Sequence, residues 1–236
     1  IILFVILMVL LYIPPVQNLL RREVTAYASK ATGMQIQVER IDLRFPLNLL
    51  VRGVEVIQQP DTLLSLESLN VRVQAWPLLK GKVEVDEVTL SQVAVNSANL
   101  IEGMQIKGVL GRFFLQSHGV DLSNETAVVN RTELSDTHIQ LLMTDTTTTP
   151  KDTTASAPVN WKVNLHQLKL KNVSFGMKLP ADSMKMAAYI GEATIDDAKA
   201  DLKNQVYGLK QFLLSGASAS YDTGDCLLYT SDAADE

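Results

Sequence analysis

A single cysteine, Cys226, stands among 236 residues, so the chain assembles neither an internal disulfide nor a cysteine metal site from its own residues. Lysine and arginine number 21 against 26 acidic residues, and no long basic run occurs. Phosphate backbones are bound by clustered positive charge, which argues against nucleic acid as the main partner. The three histidines, His118, His138 and His166, have no companion at metal-pair spacing. A G-x-S-x-G elbow, a phosphate-cradling loop and a dinucleotide fingerprint are all missing. Asp86-Glu87 and Asp196-Asp197 are adjacent carboxylates, which along a strand point to opposite faces and pair poorly for acid–base work. The expectation is a protein that is not an enzyme and holds no cofactor or metal.

What is present begins with thirteen continuously apolar residues, "IILFVILMVLLYI". A full membrane span needs about 20, and shorter runs also suit buried helices or signal-peptide cores. The chain starts at Ile1, inside the run, so residues 1–15 are expected to be a truncated transmembrane anchor. A cleaved signal is the competing reading, because Ala26-Tyr27-Ala28 has the small-residue pattern of a cleavage site. Arg21, Arg22 and Glu23 separate that pattern from the apolar run, and cleavage normally follows the run closely. Those two arginines by themselves favour a cytoplasmic downstream side; positive charge ahead of the run would compete.

Pro14-Pro15 blocks a continuous helix, and residues 16–33 carry Val16, Leu19, Leu20, Val24 and Tyr27 at the spacing of an amphipathic helix ended by Gly33. Strands are expected from Met34 onward. Ile36 and Val38 alternate with polar residues, the phase slips at Glu39-Arg40, and Ile41, Leu43 and Phe45 resume it. Leu47, Leu49 and Val51 continue past Pro46, and Gly53 separates them from Val54 and Val56. In "VEVDEVTLSQVAV" the apolar positions are Val83, Val85, Val88, Leu90, Val93 and Val95, two in every five. They match Val163, Leu165, Leu168, Leu170, Val173 and Phe175, and the first four also match Ile36, Val38, Ile41 and Leu43. A weaker echo is Phe212, Leu214, Ala217 and Ala219. Two polar residues in succession flip the side of the sheet unless a bulge or bend absorbs one of them.

This degenerate repeat favours a stacked β-array over a closed globular sheet. The expected fold is mainly β: a membrane helix and a short amphipathic helix, then an elongated, curled antiparallel β-sheet array forming a groove. Its first segment spans 34–143 and its second 159–225. Between them residues 144–158 hold seven threonines and two prolines, a linker or loop. Residues 195–209 also fit a helix, but their flanks are strand-like, and strands are expected there. Residues 226–236, "CLLYTSDAADE", break the pattern and resemble a translated sequencing-library adaptor, so Cys226 carries no functional weight. The apolar strand positions need cover from water. Either a second sheet closes over them or the sheet curls into a groove that holds something else.

Thr32-Gly33 at the helix end, Phe45-Pro46-Leu47, Gly53-Val54, Leu63-Leu64 and "PLLKGKV" at 77–83 follow one another in an order similar to the start of the AsmA superfamily, specifically its TamB-like members. "DTHIQLLMTDT" and "WKVNLHQLKLKNVSF" further on resemble the Bacteroidota versions of that family. The resemblance implies a single-pass inner-membrane protein whose β-groove lies in the periplasm. It implies a part in outer-membrane biogenesis, by bridging phospholipid transport with acyl chains on an apolar floor. The alternative role is a scaffold for outer-membrane protein assembly or secretion with an Omp85-type partner. The residues expected to line the groove are the sixteen of the repeat: Ile36, Val38, Ile41, Leu43; Val83, Val85, Val88, Leu90, Val93, Val95; and Val163, Leu165, Leu168, Leu170, Val173, Phe175.

Overall fold

The computed structural model describes residues 13–45, 47–78, 84–98, 100–101, 103–121, 125–143, 160–180 and 183–223. Helix α1 (Pro14–Thr32) opens on its two prolines, whose missing N–H groups cost nothing in a first turn. The helix thus begins at Pro14, with Ile13 extended at its N-cap. Gly33, at φ 69°, ends the helix by donating its N–H to Ser29 O. Residues 1–12 of the expected anchor lie outside the described residues. Among the described residues no helix is long and apolar enough to cross a membrane.

The strands are β1 (Gln35–Arg44), β2 (Asn48–Gln58), β3 (Asp61–Val73), β4 (Val85–Asn96), β5 (Met104–Asp121), β6 (Thr126–Met143), β7 (Lys162–Leu179), β8 (Met184–Asp201), β9 (Val206–Gly208) and β10 (Gln211–Asp222). A four-residue helix, α2 (Ala75–Leu78), follows β3. All ten strands form one sheet in the order β1 to β8 and then β10, with β9 pairing to the end of β8. The sheet curls without closing, since β1 and β10 share no ladder. The helical alternative at 195–209 is thereby overturned: this stretch ends β8, turns, and forms β9.

Three expectations need correction. Neighbouring strands are antiparallel except β6 and β7, which run parallel, so the array is not antiparallel throughout. The chain between Met143 and Lys162 therefore returns from one end of the strands to the other, a connection of a kind a hairpin cannot make. The Thr-rich stretch 144–158 belongs to it and lies outside the described residues, as does the tail 226–236. Phe45 does not continue a strand; it sits in the turn from β1 to β2 and is 86% exposed. Gly53 does not separate two strands but lies within β2.

Helix α1 runs antiparallel to β1 along its outer edge. Its side chains meet backbone groups that β1 turns away from β2. Ser29 Oγ accepts the Ile36 N–H at 3.0 Å, Arg21 Nη1 donates to Glu39 O at 2.6 Å, and Gln17 Nε2 donates to Leu43 O at 3.0 Å. The helix thus covers an edge that would otherwise template another strand. Few apolar side chains are buried; among the described residues they are Ile41, Leu47, Leu63, Ala127, Val129 and Ala193. No second sheet among those residues packs on either face.

Candidate functional site

Residues directly opposite on neighbouring strands place their side chains on the same face, so the register decides what each face presents. One row runs Val38, Val54, Leu66, Val93, Leu110, Thr137, Val173, Ile190, Ala217 across nine strands. The next runs Ile41, Val51, Leu69, Leu90, Phe113, Leu134, Leu170, Ala193, Leu214. Outside these lie Leu43 to Phe212 on one side and Ile36 to Ala219 on the other, again apolar but for Thr132 and Gly108. At the ordinary spacing of about 4.8 Å between strands the rows extend roughly 40 Å. Thr137 is 2% exposed, and its hydroxyl is satisfied by donating to Ser135 O. The opposite face carries Arg40, Arg52, Ser68, Ser91, Arg112, Ser135, Lys171, Glu192 and Ser215 in one row.

All the repeat residues named above except Val83, which lies outside the described residues, fall on the one apolar face. Val88, Leu90, Val93 and Val95 stand level with Leu168, Leu170, Val173 and Phe175. The match to β1 is out of line. Because β1 runs the other way, Leu43 stands level with Val88 and Ile41 with Leu90.

The phase slips form a seam. Between the two central rows every strand has two residues rather than one, and one of the two has no ladder partner: Glu39, Gly53, Glu67, Gln92, Gly111, Asp136, Asn172, Gly191 and Gly216. The extra residue is present in every strand at the same level. Register is therefore kept across the seam and the apolar side chains return to the same face beyond it. Gly53, Gln92, Asp136, Asn172 and Gly216 have φ between 49° and 65°, the left-handed region, and all five lie on strands of one direction. Asp136 and Asn172, on the parallel pair, are joined across the seam by a 2.8 Å hydrogen bond. Crowding there explains the glycines: a Cβ on Gly53 would lie 2.6 Å from that of Glu39, and one on Gly111 2.7 Å from that of Asp136. A second slip lies lower on the strands, where His166 Nδ1 meets Asp197 Oδ1 at 3.1 Å and Asp197 has φ 51°. Two slips five residues apart account for the five-residue rhythm.

Hollows lie on the apolar face. One of about 390 Å³ is lined by Val163, Leu165, Ile195, Ala198, Tyr207 and Leu209. Another of about 210 Å³ is lined by Phe175, Met186, Ala188, Ala219 and Tyr221. On the opposite face, at the strand ends, a hollow of about 580 Å³ is lined by Lys107, Lys178, Lys185 and Asp222, with Met177 and Met186 alongside. Lys178 and Lys185 are direct cross-strand partners, an arrangement that like charges disfavour.

Titratable chemistry is sparse. Asp197 is held below the usual carboxylate range by hydrogen bonds from His166 and Lys210. Asp201 is held low by the backbone N–H and side-chain amide of Asn204. His138 Nδ1 lies 2.7 Å from Ser174 Oγ. Among the described residues no group of His, Cys, Asp and Glu is arranged to hold a metal ion. The sequence signal for the seam was the polar doublets themselves; their alignment across strands required the register. The β10 edge and the lysine-rimmed hollow were not anticipated, because which strand ends the sheet and which strand ends meet depend on the order of pairing.

No family model matches the chain, and no curated protein matches it.

Proposed function

We propose that the apolar face carries the acyl chains of phospholipids, in a membrane-anchored protein of AsmA/TamB type that bridges lipid transport towards an outer membrane. The observation that carries this reading is the set of apolar rows crossing nine strands with no second layer over them among the described residues. Exposing a chain of about 16 carbons to water costs on the order of 12 kcal/mol, at about 0.8 per methylene. A continuous apolar floor removes most of that cost at every position along the path, and it needs no catalytic group. The apolar run at residues 1–13 supplies the membrane attachment in this reading, with the sheet on the periplasmic side.

Photo-crosslinkers placed at Val85, Leu90 and Leu168 test it. Phospholipid captured at all three sites is the expected result; capture of protein neighbours alone overturns it. Loss of a subset of outer-membrane proteins with normal phospholipid transfer, on depletion, would instead favour the scaffold role with an Omp85-type partner.

A further inference from the structure

Helix α1 has an apolar stripe that the sheet does not use. The side chains it turns to β1 are Gln17, Arg21 and Ser29, which share one line of the helix at multiples of four residues and bond to the strand's backbone. Thr25, on the same line, is half-buried. A helix at the margin of a protein ordinarily turns its apolar stripe inward and its polar side to water. Here the polar line faces the sheet. Ile13, Val24 and Tyr27 share a side roughly a third of a turn away, and they are 39%, 47% and 77% exposed. Leu19, 57% exposed, stands at the margin of that side, beyond Glu23. Among the described elements β1 is the one α1 packs against, and the apolar side stays open.

Two observations point to what meets that side. The apolar run of residues 1–13 ends at Ile13, the N-cap of α1, so the helix follows directly on the segment that suits a membrane. Phe45, 86% exposed, lies two residues past Leu43, whose carbonyl Gln17 holds, so an open aromatic ring stands beside the first turns of the same helix. We propose that α1 lies in the plane of the membrane interface, with Ile13, Val24 and Tyr27 among the upper acyl chains, Phe45 beside them, and the polar line holding the β1 edge above the lipid. The partner is a phospholipid surface. Helices of this kind sink their apolar side about 5–10 Å into the boundary between headgroups and acyl chains. This seating puts the β1 end of the apolar rows next to the bilayer. The inference rests on the membrane attachment proposed above and not on the carriage of acyl chains.

The test uses the full chain with Cys226→Ser and one nitroxide label at a time, on Val24→Cys, Tyr27→Cys or Asn18→Cys, with vesicles of phosphatidylethanolamine and phosphatidylglycerol. All three native side chains are exposed, so labelling leaves the packing intact. Chains that float with the vesicles are probed with oxygen, which concentrates in lipid, and with a water-soluble nickel chelate. Oxygen is expected to reach the Val24 and Tyr27 labels several-fold better than the chelate does, at a depth of about 5–10 Å, and the Asn18 label to show the reverse. Equal chelate access at all three positions, in chains that float, overturns the seating of α1 and leaves the attachment standing. Val24 and Tyr27 labels shielded from both reagents mean that protein covers the helix, from a second copy or another segment of this chain, and overturn the lipid partner. Failure to float overturns the attachment and the inference together, while crosslinking at Val85, Leu90 and Leu168 bears only on the carriage of acyl chains.

Discussion

The two edges of this sheet are built from similar strands and end differently. At β1 the outward backbone groups meet Ser29, Arg21 and Gln17 of α1. At β10 they meet no ladder partner among the described residues, and the side chains are exposed on both faces. An apolar row therefore has a different environment at each end: Ile41 is 9% exposed and Leu214, on the same row, 49%. Among the described residues, cover on this sheet comes from neighbouring strands and from α1.

Charge on that row sharpens the comparison most. Leu134→Asp puts a carboxylate between Phe113 and Leu170 and is expected to lower unfolding free energy by about 2–4 kcal/mol, whereas Leu214→Asp at the free edge should cost under about 1 kcal/mol. Urea unfolding of both variants measures this, and equal losses would mean that the centre is no better covered than the edge. The seam offers a smaller contrast. Gly111→Ala forces a Cβ against Asp136 and should cost about 1–3 kcal/mol, while Gly208→Ala, with open space around it in β9, should change stability by less than about 0.5. Removing part of the cover comes next. Ser29→Ala should cost about 0.5–1.5 kcal/mol and speed exchange of the Ile36 amide towards that of amides on the outer side of β10; an unchanged Ile36 rate would show that α1 protects by packing alone.

The smallest effect is one of pH. Asp197 is lowered in the folded chain, so its ionised form favours the folded state. That contribution is present above the unfolded carboxylate value of about 3.9 and fades as pH falls through the lower folded value. Amides at the start of β10, beside Lys210, should exchange faster on acidification through this window once intrinsic rates are removed, and His166→Gln should weaken the dependence.

Much of the strand pattern was legible because apolar spacing reports local exposure. The doublets at Glu39-Arg40 and Ser91-Gln92 marked the seam on their own strands, while the level at which strands align came only from the register. Two things misled. The apolar alternation runs on through Phe45, but the hairpin turns there, and alternation alone says nothing about where a chain reverses. Gly53 looked like punctuation because glycine commonly ends elements, yet here it avoids the Glu39 Cβ inside a continuous strand. The parallel pairing of β6 and β7 had no local signal, since either direction satisfies the same two-in-five spacing.

The order of residues by itself determined that this chain makes long strands with one apolar face and phase slips at set intervals, because side-chain alternation and the preference of polar residues for water act within a strand. The tertiary structure alone decided that the slips line up into a seam, that the apolar rows join across nine strands with no second layer over them among the described residues, and that α1 lies along the β1 edge. Those features depend on register and strand order, which are set by pairing between residues far apart in the chain, where the symmetric apolar spacing permits more than one alignment.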